Sequence, residues 1–523
     1  MSDSKSLWTP KHNPWAVALT VTMATFMEVL DTSIANVSLP HIASNLSVSQ
    51  EESTWVLTSY LVSNAIVLPM SAWLGRLIGR KRLYMLCVAL FTCSSFLCGM
   101  APSLEMLVLF RVLQGIGGGV LQPSEQAILA DTFPPEKRGQ AFSVYGMAVV
   151  VAPALGPTLG GWITDNFTWR WIFYINVPIG ILSLILSSRL IEDPPYLQKI
   201  RALGRPRIDY IGLGLIVLAI GSLQVVLDKG QEADWFNSTW ITVLLVIAVY
   251  TLLAWVVWEW HHPEPIVDVR LFQNRNFATC MFFTFVLGTV LFGTTVVIPQ
   301  FLQVLMGYPA VKAGEAMAGG GIAMFLMMPI AGQLVGRVDP RGMMAAGFLT
   351  TAAALYYIVT HISLQMDFAT AAMLRTYQAV GLPLIFLPSN TLAYVGIPRE
   401  KGGQIAAMNS FIRNIGGSIG IAVISSSLTR QVAKHQTYMV AHARPGNPVF
   451  DNMANGIGQM MANRGVGQPM QHAYARVAGL IAGQATTLAY IDVISFLALM
   501  VVGLTPFVLI MRRPKAMGRP AGH

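Results

Sequence analysis

Charged residues are scarce in this sequence. Only 11% of its 523 residues are charged, whereas 54% are hydrophobic, and a soluble protein carries about 25% charged residues. Apolar runs near the roughly 20 residues that cross a hydrocarbon core recur along the whole chain. The sequence therefore predicts a membrane protein. Its net charge of +9 fits basic cytoplasmic loops and need not indicate nucleic-acid binding.

Motifs of soluble enzymes and of metal sites are also missing. The sequence has no phosphate loop of the G-x-x-x-x-G-K-[ST] type, so ATP is not the expected energy source. Gly115-x-Gly117 lies within an apolar span, which excludes a dinucleotide site, and the histidines form no zinc-protease signature. The cysteines lie in apolar stretches without metal-ligand spacing and are expected to be small buried side chains; they are Cys87, Cys93, Cys98 and Cys280. We expect no enzymatic activity, no metal and no cofactor.

The apolar runs predict an all-α membrane protein with fourteen spans. Their approximate bounds are 15–39, 54–74, 83–101, 104–130, 140–163, 169–190, 209–227, 239–259, 278–302, 314–336, 343–361, 370–394, 403–427 and 486–511. One set of alternate loops is rich in basic residues, which predicts that both termini are cytoplasmic. Those loops contain Lys5, Lys11, Arg80, Lys81, Arg82, Lys137, Arg138, Lys199, Arg201, Arg205, Arg207, Arg270, Arg275, Arg337, Arg341, Arg399, Lys401, Arg512, Arg513 and Lys515.

The chain repeats itself weakly, which indicates two homologous halves. The paired motifs are 75–80 with 332–337, Arg111-x-x-Gln114 with Arg375-x-x-Gln378, and Gly160-Gly161 with Gly416-Gly417. Their offsets are similar: 336 − 79 = 257, 375 − 111 = 264 and 416 − 160 = 256. We expect six-helix halves at 15–190 and 278–511, an inserted helix pair with its loops at 191–277, a cytoplasmic N-terminus at 1–14 and a cytoplasmic tail at 512–523.

Residues 428–485 form a long polar segment on the outer side of the predicted topology. Its basic residues do not contradict that topology, because long loops cross the membrane largely regardless of charge. We expect helical pieces above the membrane, which either form a docking surface or belong to a mobile loop.

Two acidic residues, Glu28 and Asp31, share one face of the first predicted span, because they are three positions apart. At 1.5 Å per residue, Asp31 and Arg111 lie at similar depths, roughly 10–13 Å from the outer end, so they are expected to be partners. Gln114 is expected one turn deeper, near the level of Glu28. The Asp31–Arg111 pair either links protonation to conformation or is a permanent structural pair. Glu28 is a candidate for a substrate-facing charge or a second proton site.

Other polar residues within or near spans are weaker candidates. Asp492 is a secondary functional candidate, and Arg375 and Arg413 are expected to serve structural roles in the second half. Glu125 and Glu315 also lie within or near spans. Substrate contacts are assigned to Glu28, Gln114, Gln126, Phe301 and Gln378.

The fifth span is rich in glycine and proline. Small residues four apart let helices approach closely, and proline bends a helix. This helix is therefore either a hinge or seal between the halves, or a site of simple close packing. The residues concerned are Pro153, Gly156, Pro157, Gly160 and Gly161.

Four motifs resemble those of the fourteen-helix drug:proton antiporters of the major facilitator superfamily, especially the EmrB type. They are Leu30–Pro40 (LDTSIANVSLP), Arg111–Gly117 (RVLQGIG), Gly156–Gly161 (GPTLGG) and Trp169–Pro178 (WRWIFYINVP). Pro265–Asp268 with Asn274–Phe277 also fits, and the resemblance covers nearly the whole chain.

The resemblance implies a major facilitator fold in which Asp31 and Arg111 couple transport to protons. The fifth-span motif would mark an exporter. The long loop 428–485 would be periplasmic and would meet an EmrA-type membrane-fusion protein that works with a TolC-type outer-membrane channel. The protein would then reside in a Gram-negative inner membrane, with small molecules, protons and lipids as its other partners and no nucleic acid.

Two departures from the family pattern bear on this expectation. The loop between spans 2 and 3 has Ala72 and Arg76 where the superfamily usually carries glycine and aspartate, so the gating ion pair of that aspartate cannot form in the usual way. Glu28 occupies a position that we expect to be uncharged in the EmrB type, which would favour cationic substrates or supply a second proton site.

The sequence therefore predicts proton-coupled export of hydrophobic or amphipathic drug-like compounds by alternating access. The alternative is a transporter of the same fold that moves a metabolite, lipid or siderophore, or that works as an uptake symporter.

Overall fold

The computed structural model describes residues 11–197, 208–335 and 337–511. The expected cytoplasmic tail 512–523, most of the expected N-terminal segment and Gly336 of the repeated motif lie outside the described residues. So do several of the basic loop residues, namely Lys5, Lys199, Arg201, Arg205, Arg207, Arg512, Arg513 and Lys515.

The described chain is helical and contains no strand. Its longer helices are α1 (Pro14–Leu46), α2 (Trp55–Ile78), α3 (Arg80–Met100), α4 (Leu104–Thr132), α5 (Arg138–Asn166), α6 (Asn176–Leu190), α7 (Tyr210–Lys229), α8 (Thr239–His261), α9 (Arg275–Gln300), α10 (Ala310–Leu334), α11 (Pro340–His361), α12 (Phe368–Leu392), α13 (Gly402–His442), α14 (Pro448–Asn463) and α15 (Pro469–Leu504). One-turn helices Gln50–Ser53 and Trp171–Tyr174 precede α2 and α6, and a π-helical turn, Phe301–Leu305, extends α9. Short 3₁₀ helices span Pro135–Lys137, Trp235–Asn237, Val269–Gln273, Arg399–Lys401 and Thr505–Ile510.

Polar caps determine where several of these helices begin. The Asn13 side chain accepts a hydrogen bond from the backbone N–H of Trp15 at 2.9 Å, and Pro14 occupies the first position of α1. Asn274 and Asp367 cap α9 and α12 in the same way. Such caps satisfy backbone N–H groups that have no partner within the helix.

Twelve of the described helices are long and apolar enough to cross a membrane. α5 bends by 43° between Pro153 and Leu155, and it is the thirteenth such helix if its two parts are counted as one span. The remaining helix, α12, has 25 residues and so extends for about 37 Å, but it is less apolar. The fourteen expected spans thus correspond to α1–α13 and α15. The expected all-α class is confirmed for the described residues.

The helices pack into two groups that meet along a seam. In the first group, α1 packs against α4, α5 and α6, and α4 packs against α2 and α3. In the second, α9 packs against α12 and α13, and α15 packs against α11 and α13. The seam consists chiefly of α2 against α13 and α5 against α10. A Cβ added to Gly139 of α5 would lie 2.9 Å from the carbonyl oxygen of Gly332 in α10, so this close helix contact requires glycine.

The inserted pair α7–α8 lies across one side of the seam. α7 packs against α2 and α13, one helix from each group. The end of the bundle at which α1 begins is called the inner end here, and the opposite end the outer end. Near the outer end, Thr58 of α2 donates to Asp228 of α7, while Gln224 of α7 donates to Ser418 of α13 at 3.1 Å.

Helices occupy most of the segment 428–485 at the outer end. α13 continues without a break to His442, well past the expected end at 427, and α14 packs along α15. The last span was expected to begin at 486, but its helix begins at Pro469. Among the cysteines, Cys93 is exposed, so the expectation of burial is wrong for that residue and holds for Cys87, Cys98 and Cys280.

Candidate functional site

Asp31 of α1 and Arg111 of α4 form an ion pair inside the first helix group. Arg111 Nη1 lies 2.5 Å from Asp31 Oδ2, and the side chains are 0% and 1% exposed. Arg111 Nε also donates to the backbone oxygen of Val56 at 3.0 Å. Charge in hydrocarbon is unfavourable unless it is paired and hydrogen-bonded, and this pair meets both conditions.

The Asp31 carboxylate accepts two further hydrogen bonds, both from amide side chains. Gln114 Nε2 donates to Asp31 Oδ1 at 3.0 Å, and Asn176 Nδ2 of α6 donates to the same oxygen at 2.7 Å. Gln114 Oε1 also accepts from Arg111 at 2.8 Å. Gln114 is expected one turn deeper than Arg111, near the level of Glu28; its side chain binds Asp31 and Arg111 rather than Glu28. Asn176 belongs to the motif Trp169–Pro178, and nothing in its local sequence indicates a contact with Asp31.

Aromatic rings enclose the Arg111 guanidinium. Its carbon lies 4.3 Å from the centre of the Tyr60 ring and 5.6 Å from that of Phe173. Among the described residues, Arg111 Nη2 has no hydrogen-bond partner. The cation is therefore held by one carboxylate, by the oxygens of Val56 and Gln114, and by ring faces. Asp31 is its sole counter-ion within ion-pair distance in the described chain.

Glu28 lies in a separate polar cluster that reaches the second helix group. Its carboxylate, 4% exposed, accepts from Tyr60 Oη at 3.0 Å, Asn64 Nδ2 at 3.2 Å and Gln122 Nε2 at 2.8 Å. Gln122 Oε1 in turn accepts from Arg413 Nη2 of α13 at 2.5 Å. The amide of Gln122 thus links a carboxylate in one group to a guanidinium in the other, and sequence reasoning missed this link.

Glu125 is a third buried carboxylate on this side of the seam. It lies on α4 and is fully buried; Thr22 of α1 donates to one oxygen, and the other has no partner among the described residues. The sequence marked Glu125 only as a charge within a span. The structure places it one helical turn from Gln122, next to the Glu28 cluster.

The second group contains a pocket equivalent to that of Arg111. Arg375 Nη1 donates to Gln378 Oε1 at 2.6 Å and to Thr294 Oγ1 at 2.8 Å, and Nη2 donates to Thr295 Oγ1 at 2.8 Å. Gln378 Nε2 donates to Thr294 at 2.9 Å. No carboxylate of the described residues lies within ion-pair distance of Arg375.

The remaining candidates lie at three different places. Gln126 lies at the seam, where it donates to Ser410 Oγ of α13 at 2.7 Å and to Tyr145 Oη at 2.8 Å. Phe301 packs against Tyr490 of α15, with ring centres 5.1 Å apart. Asp492 Oδ2 lies 2.8 Å from His435 Nε2, near the outer end of α13, so the two side chains are hydrogen-bonded.

The glycine- and proline-rich part of α5 contacts α1 directly after Asp31. Ser33 Oγ donates to the backbone oxygen of Pro153 at 3.1 Å. A Cβ at Gly156 would collide with the Ser33 side chain, and one at Gly160 would lie 3.2 Å from Ile34. This part of α5 therefore packs in close contact with α1 at residues two and three positions after Asp31.

The inner end of the seam holds a different set of charges from the usual family pattern. Arg76, which stands where an aspartate is usual, donates to the backbone oxygen of Pro265 at 3.3 Å. Asp268, in the segment after α8, accepts from Lys401 Nζ at 2.6 Å, just before α13, and from Arg270 Nε at 3.3 Å. Burial alone would raise the pKa of Asp268, but Lys401 and then Arg270 hold this pKa below its ordinary value. The inserted segment thus supplies an acid to this part of the seam.

Comparison with known proteins identifies the class to which this site belongs. The model of the Major Facilitator Superfamily matches residues 21–421, and the chain belongs to this superfamily. A solved structure of the superfamily, the proton:xylose symporter XylE bound to 6-bromo-6-deoxy-D-glucose, has a TM-score of 0.57 and 14% identity and covers 95% of this chain and 96% of that one. A likeness at this identity supports the fold alone.

Sequence relatives narrow the class to drug exporters. Multidrug export protein EmrB of Haemophilus influenzae is 38% identical over 443 residues, which cover 85% of this chain and 86% of that protein. Fatty acid resistance protein FarB of Neisseria gonorrhoeae is 39% identical over 446 residues, 85% of this chain and 86% of that protein. The chain is accordingly a drug efflux transporter of the EmrB type, a multi-pass membrane protein of a non-enzyme class, and the predicted family and export function are confirmed.

Proposed function

We propose that inward proton flow drives this export and that Asp31 is the group that binds and releases the proton. The observation that carries the proposal is the ion pair of Asp31 with Arg111, buried and joined by two amide donors. A charged Asp31 is stable there because Arg111, Gln114 and Asn176 all donate to it. A protonated Asp31 would lose the ion pair and leave Arg111 with Gln114, Val56 and its aromatic neighbours.

The contact between α1 and α5 supports a route from protonation to movement. Asp31 is two residues before Ser33, whose hydroxyl binds the backbone of Pro153 at the bend of α5. α5 also packs along α10 of the other helix group. A change in the hydrogen bonding of Asp31 would thus bias how α5 meets α10, and alternating access requires this kind of movement between two halves.

We assign Glu28 to the substrate path, as a site for cationic groups or for a second proton. Its link to Arg413 through Gln122 crosses the seam, so separation of the halves would break it and expose the carboxylate to the cavity between them. Replacing Glu28 by Gln removes the charge and keeps the size. If cationic and neutral substrates were then both exported at wild-type rates, both roles would be excluded.

Everted membrane vesicles test the proton coupling. Vesicles with an imposed acidic interior should accumulate a fluorescent drug such as ethidium, and collapse of the gradient should release it. Asp31→Asn should abolish this accumulation while substrate exchange in the absence of a gradient continues. Accumulation that persists at the wild-type level in Asp31→Asn would refute the proposal.

We further propose an inner-membrane location with both termini in the cytoplasm. The basic residues at the inner end support this orientation. Labelling of single cysteines introduced near the start of α1 and in α14 would test it. A reagent that does not cross membranes should label α14 in intact cells and the α1 site only after lysis.

The outer helices are our candidate docking surface for an EmrA-type periplasmic membrane-fusion protein, which would connect to a TolC-type channel. α14 exposes Val449, Met453 and Met460, and exposed apolar side chains of this kind favour protein contacts. Val449→Ser with Met453→Ser should reduce drug resistance of cells but not uptake into everted vesicles. Equal loss in both assays would point to misfolding and contradict a docking role.

A further inference from the structure

Glu125 of α4 is a buried carboxyl group that the proposed transport cycle does not yet use. The residue is 0% exposed. The hydroxyl of Thr22 contacts one of its carboxyl oxygens, and the other oxygen has no hydrogen-bond partner among the described residues. An ionised carboxylate with a single hydroxyl as donor is strongly unfavourable in the interior of a membrane protein.

Glu28 is buried to a similar degree but has the opposite surroundings. Its carboxylate accepts hydrogen bonds from three side chains, namely Tyr60, Asn64 and Gln122. Hydrogen bonds to a carboxylate favour its charged form, whereas burial with few donors favours the neutral acid. The three donors thus support a charge on Glu28, and Glu125 lacks such support in the described chain.

The helices that pack against α4 bring no cation within ion-pair distance of Glu125 in the described part of the protein. These helices are α1, α2, α3, α5 and α13. The titratable groups that they place near Glu125 and the adjacent Glu28 cluster are Glu28, Tyr60, Tyr84, Tyr145 and Arg413. The cation of this set, Arg413, donates to Gln122 Oε1 at 2.5 Å and to Tyr145 Oη at 2.7 Å. An ionised Glu125 would therefore have no counter-ion among the described residues.

Polar side chains follow α1 from the level of Glu125 to Asp31. Thr22, which contacts Glu125, precedes Asp31 by 31 − 22 = 9 residues and so lies about 13 Å nearer the inner end. Thr25 and Glu28 lie between them, so a polar group recurs about every 4.5 Å along the axis. Thr25 Oγ1 is buried and has no partner within the residues that the structure describes. Glu125 is thus the innermost acid of a buried polar line that begins at Asp31.

We propose that Glu125 is a proton relay, a neutral carboxylic acid in this conformation that passes protons between Asp31 and the inner end of the seam. When the halves separate at the inner end, its O–H proton goes to water. The resulting carboxylate then takes the proton that Asp31 gives up, by way of the polar groups of α1 between them. The net change is one proton moved from Asp31 to water, and Glu125 ends as it began. The inference rests on the proposed coupling through Asp31 and adds the route by which the proton leaves.

Infrared spectroscopy of the purified full-length protein in detergent at neutral pH tests the state of Glu125. The spectrum of the wild type minus that of Glu125→Gln should show the C=O absorption of a protonated carboxylic acid, which shifts in deuterated water. Glu315→Gln, at an exposed glutamate of α10, is the matched control and should remove an ionised carboxylate. Glu125→Asp should shift the acid absorption rather than remove it, which provides a second test if the glutamine variant does not fold. Loss of an ionised carboxylate in Glu125→Gln, or an unchanged acid absorption in Glu125→Asp, would overturn the assignment.

The rate of proton release tests the relay itself. After ethidium is mixed with the purified protein, Glu125→Gln should release as many protons as the wild type but about 100-fold more slowly, because a positioned proton carrier typically accelerates transfer by about 10²–10⁴-fold. Glu125→Asp should recover part of this rate, which a purely structural role would not require, and Glu315→Gln should keep all of it.

Release at the wild-type rate from Glu125→Gln would overturn the relay, even if the infrared spectrum shows a protonated acid. The number of protons released depends on Asp31, whereas the rate of their release depends on Glu125. The relay can therefore fail while coupling through Asp31 stands, and a failure of that coupling is recognised separately by its effect on the number of protons.

Discussion

Arg111 in α4 and Arg375 in α12 occupy equivalent positions in the two helix groups, and each binds a glutamine one turn later, at 2.8 and 2.6 Å. The difference lies in the third member of each pocket, which is Asp31 in one and Thr294 in the other. A carboxylate can gain or lose a proton near neutral pH when its surroundings permit, whereas a threonine hydroxyl cannot. The comparison therefore assigns response to protons to the first half and a permanent positive charge to the second.

The same asymmetry extends along the seam. Asp31, Glu28 and Glu125 are all on the side of α1 and α4, and Arg375 and Arg413 are on the side of α12 and α13. Asp31 pairs with Arg111 of α4, whereas the other four form no ion pair within the described residues. The α1 and α4 side thus holds two acids outside any ion pair, Glu28 and Glu125, and the α12 and α13 side holds two such arginines, within the described residues.

The largest expected effect comes from Arg111→Gln, which leaves Asp31 buried without its cation. Breaking a buried pair in this way costs about 3–5 kcal/mol, and we expect gradient-driven accumulation in everted vesicles to fall about 100-fold or more. The double variant Asp31→Asn with Arg111→Gln should regain thermal stability but not accumulation. If the Arg111→Gln protein transported at the wild-type rate, the Arg111 and Arg375 pockets would not differ in function.

Asn176→Leu should have the next largest effect. It removes the 2.7 Å hydrogen bond to Asp31 and the 3.0 Å hydrogen bond to Ser95, and a charged group loses about 1.5–3 kcal/mol with such a partner. Initial rates of export should drop about tenfold. Ser183→Ala, on the same helix α6, is a matched control that should stay within about twofold. Equal rates in Asn176→Leu and the control would mean that Asn176 does not position Asp31.

Gln122→Leu should separate substrates by charge. The substitution removes the amide between Glu28 and Arg413 and leaves both charges buried without that bridge. We expect the export rate of a cationic drug to change about fivefold and that of a neutral drug by less than about twofold. Parallel changes for both drugs would indicate a role in helix packing alone.

The smallest effect is expected at the inner end of the seam, with Asp268→Asn. Because Lys401 and Arg270 lower the pKa of Asp268, its ionised form stabilises this contact at every pH above the ordinary aspartate value of about 3.9. The contribution is lost only as pH falls through the still lower value of the folded protein. Between about pH 5 and 8, Asp268 should therefore stay ionised in the wild type, and it should cause no change in the packing at the inner end of the seam.

Distances between spin labels at the inner ends of α2 and α13 would check this expectation. Asp268→Asn should broaden the distance distribution at all pH values and change the export rate about twofold, since its partner Lys401 is partly exposed. A wild-type distribution that broadens between pH 8 and 5 would contradict the assignment to Asp268.

The sequence alone predicted the parts of the site that depend on position along single helices. The similar depths of Asp31 and Arg111 followed from the helix rise and the predicted span ends. The direction of the Gln114 side chain did not, because depth along an axis does not tell toward which neighbour a long side chain folds.

Contacts between helices distant in sequence were out of reach for the same kind of reasoning. The contact of Gln122 with Arg413 and that of Asn176 with Asp31 depend on the rotation of each helix about its axis and on how the halves meet. Phe301 was assigned to substrate from its place in a span, yet the π-helical turn that contains it directs the ring toward Tyr490. Replacement of a family aspartate by Arg76 was visible in the sequence, and so was Asp268 within a family motif, but the contact of Asp268 with Lys401 was not.

The central claim is that Asp31 is the group that binds and releases the coupling proton, and proton release from the purified protein tests it most directly. In weakly buffered detergent solution, addition of a transported drug to the wild-type protein should release protons that a pH indicator detects. The account predicts that Asp31→Asn binds the drug and releases none, whereas Thr294→Asn releases as many protons as the wild type. Proton release of wild-type size from Asp31→Asn would contradict the account.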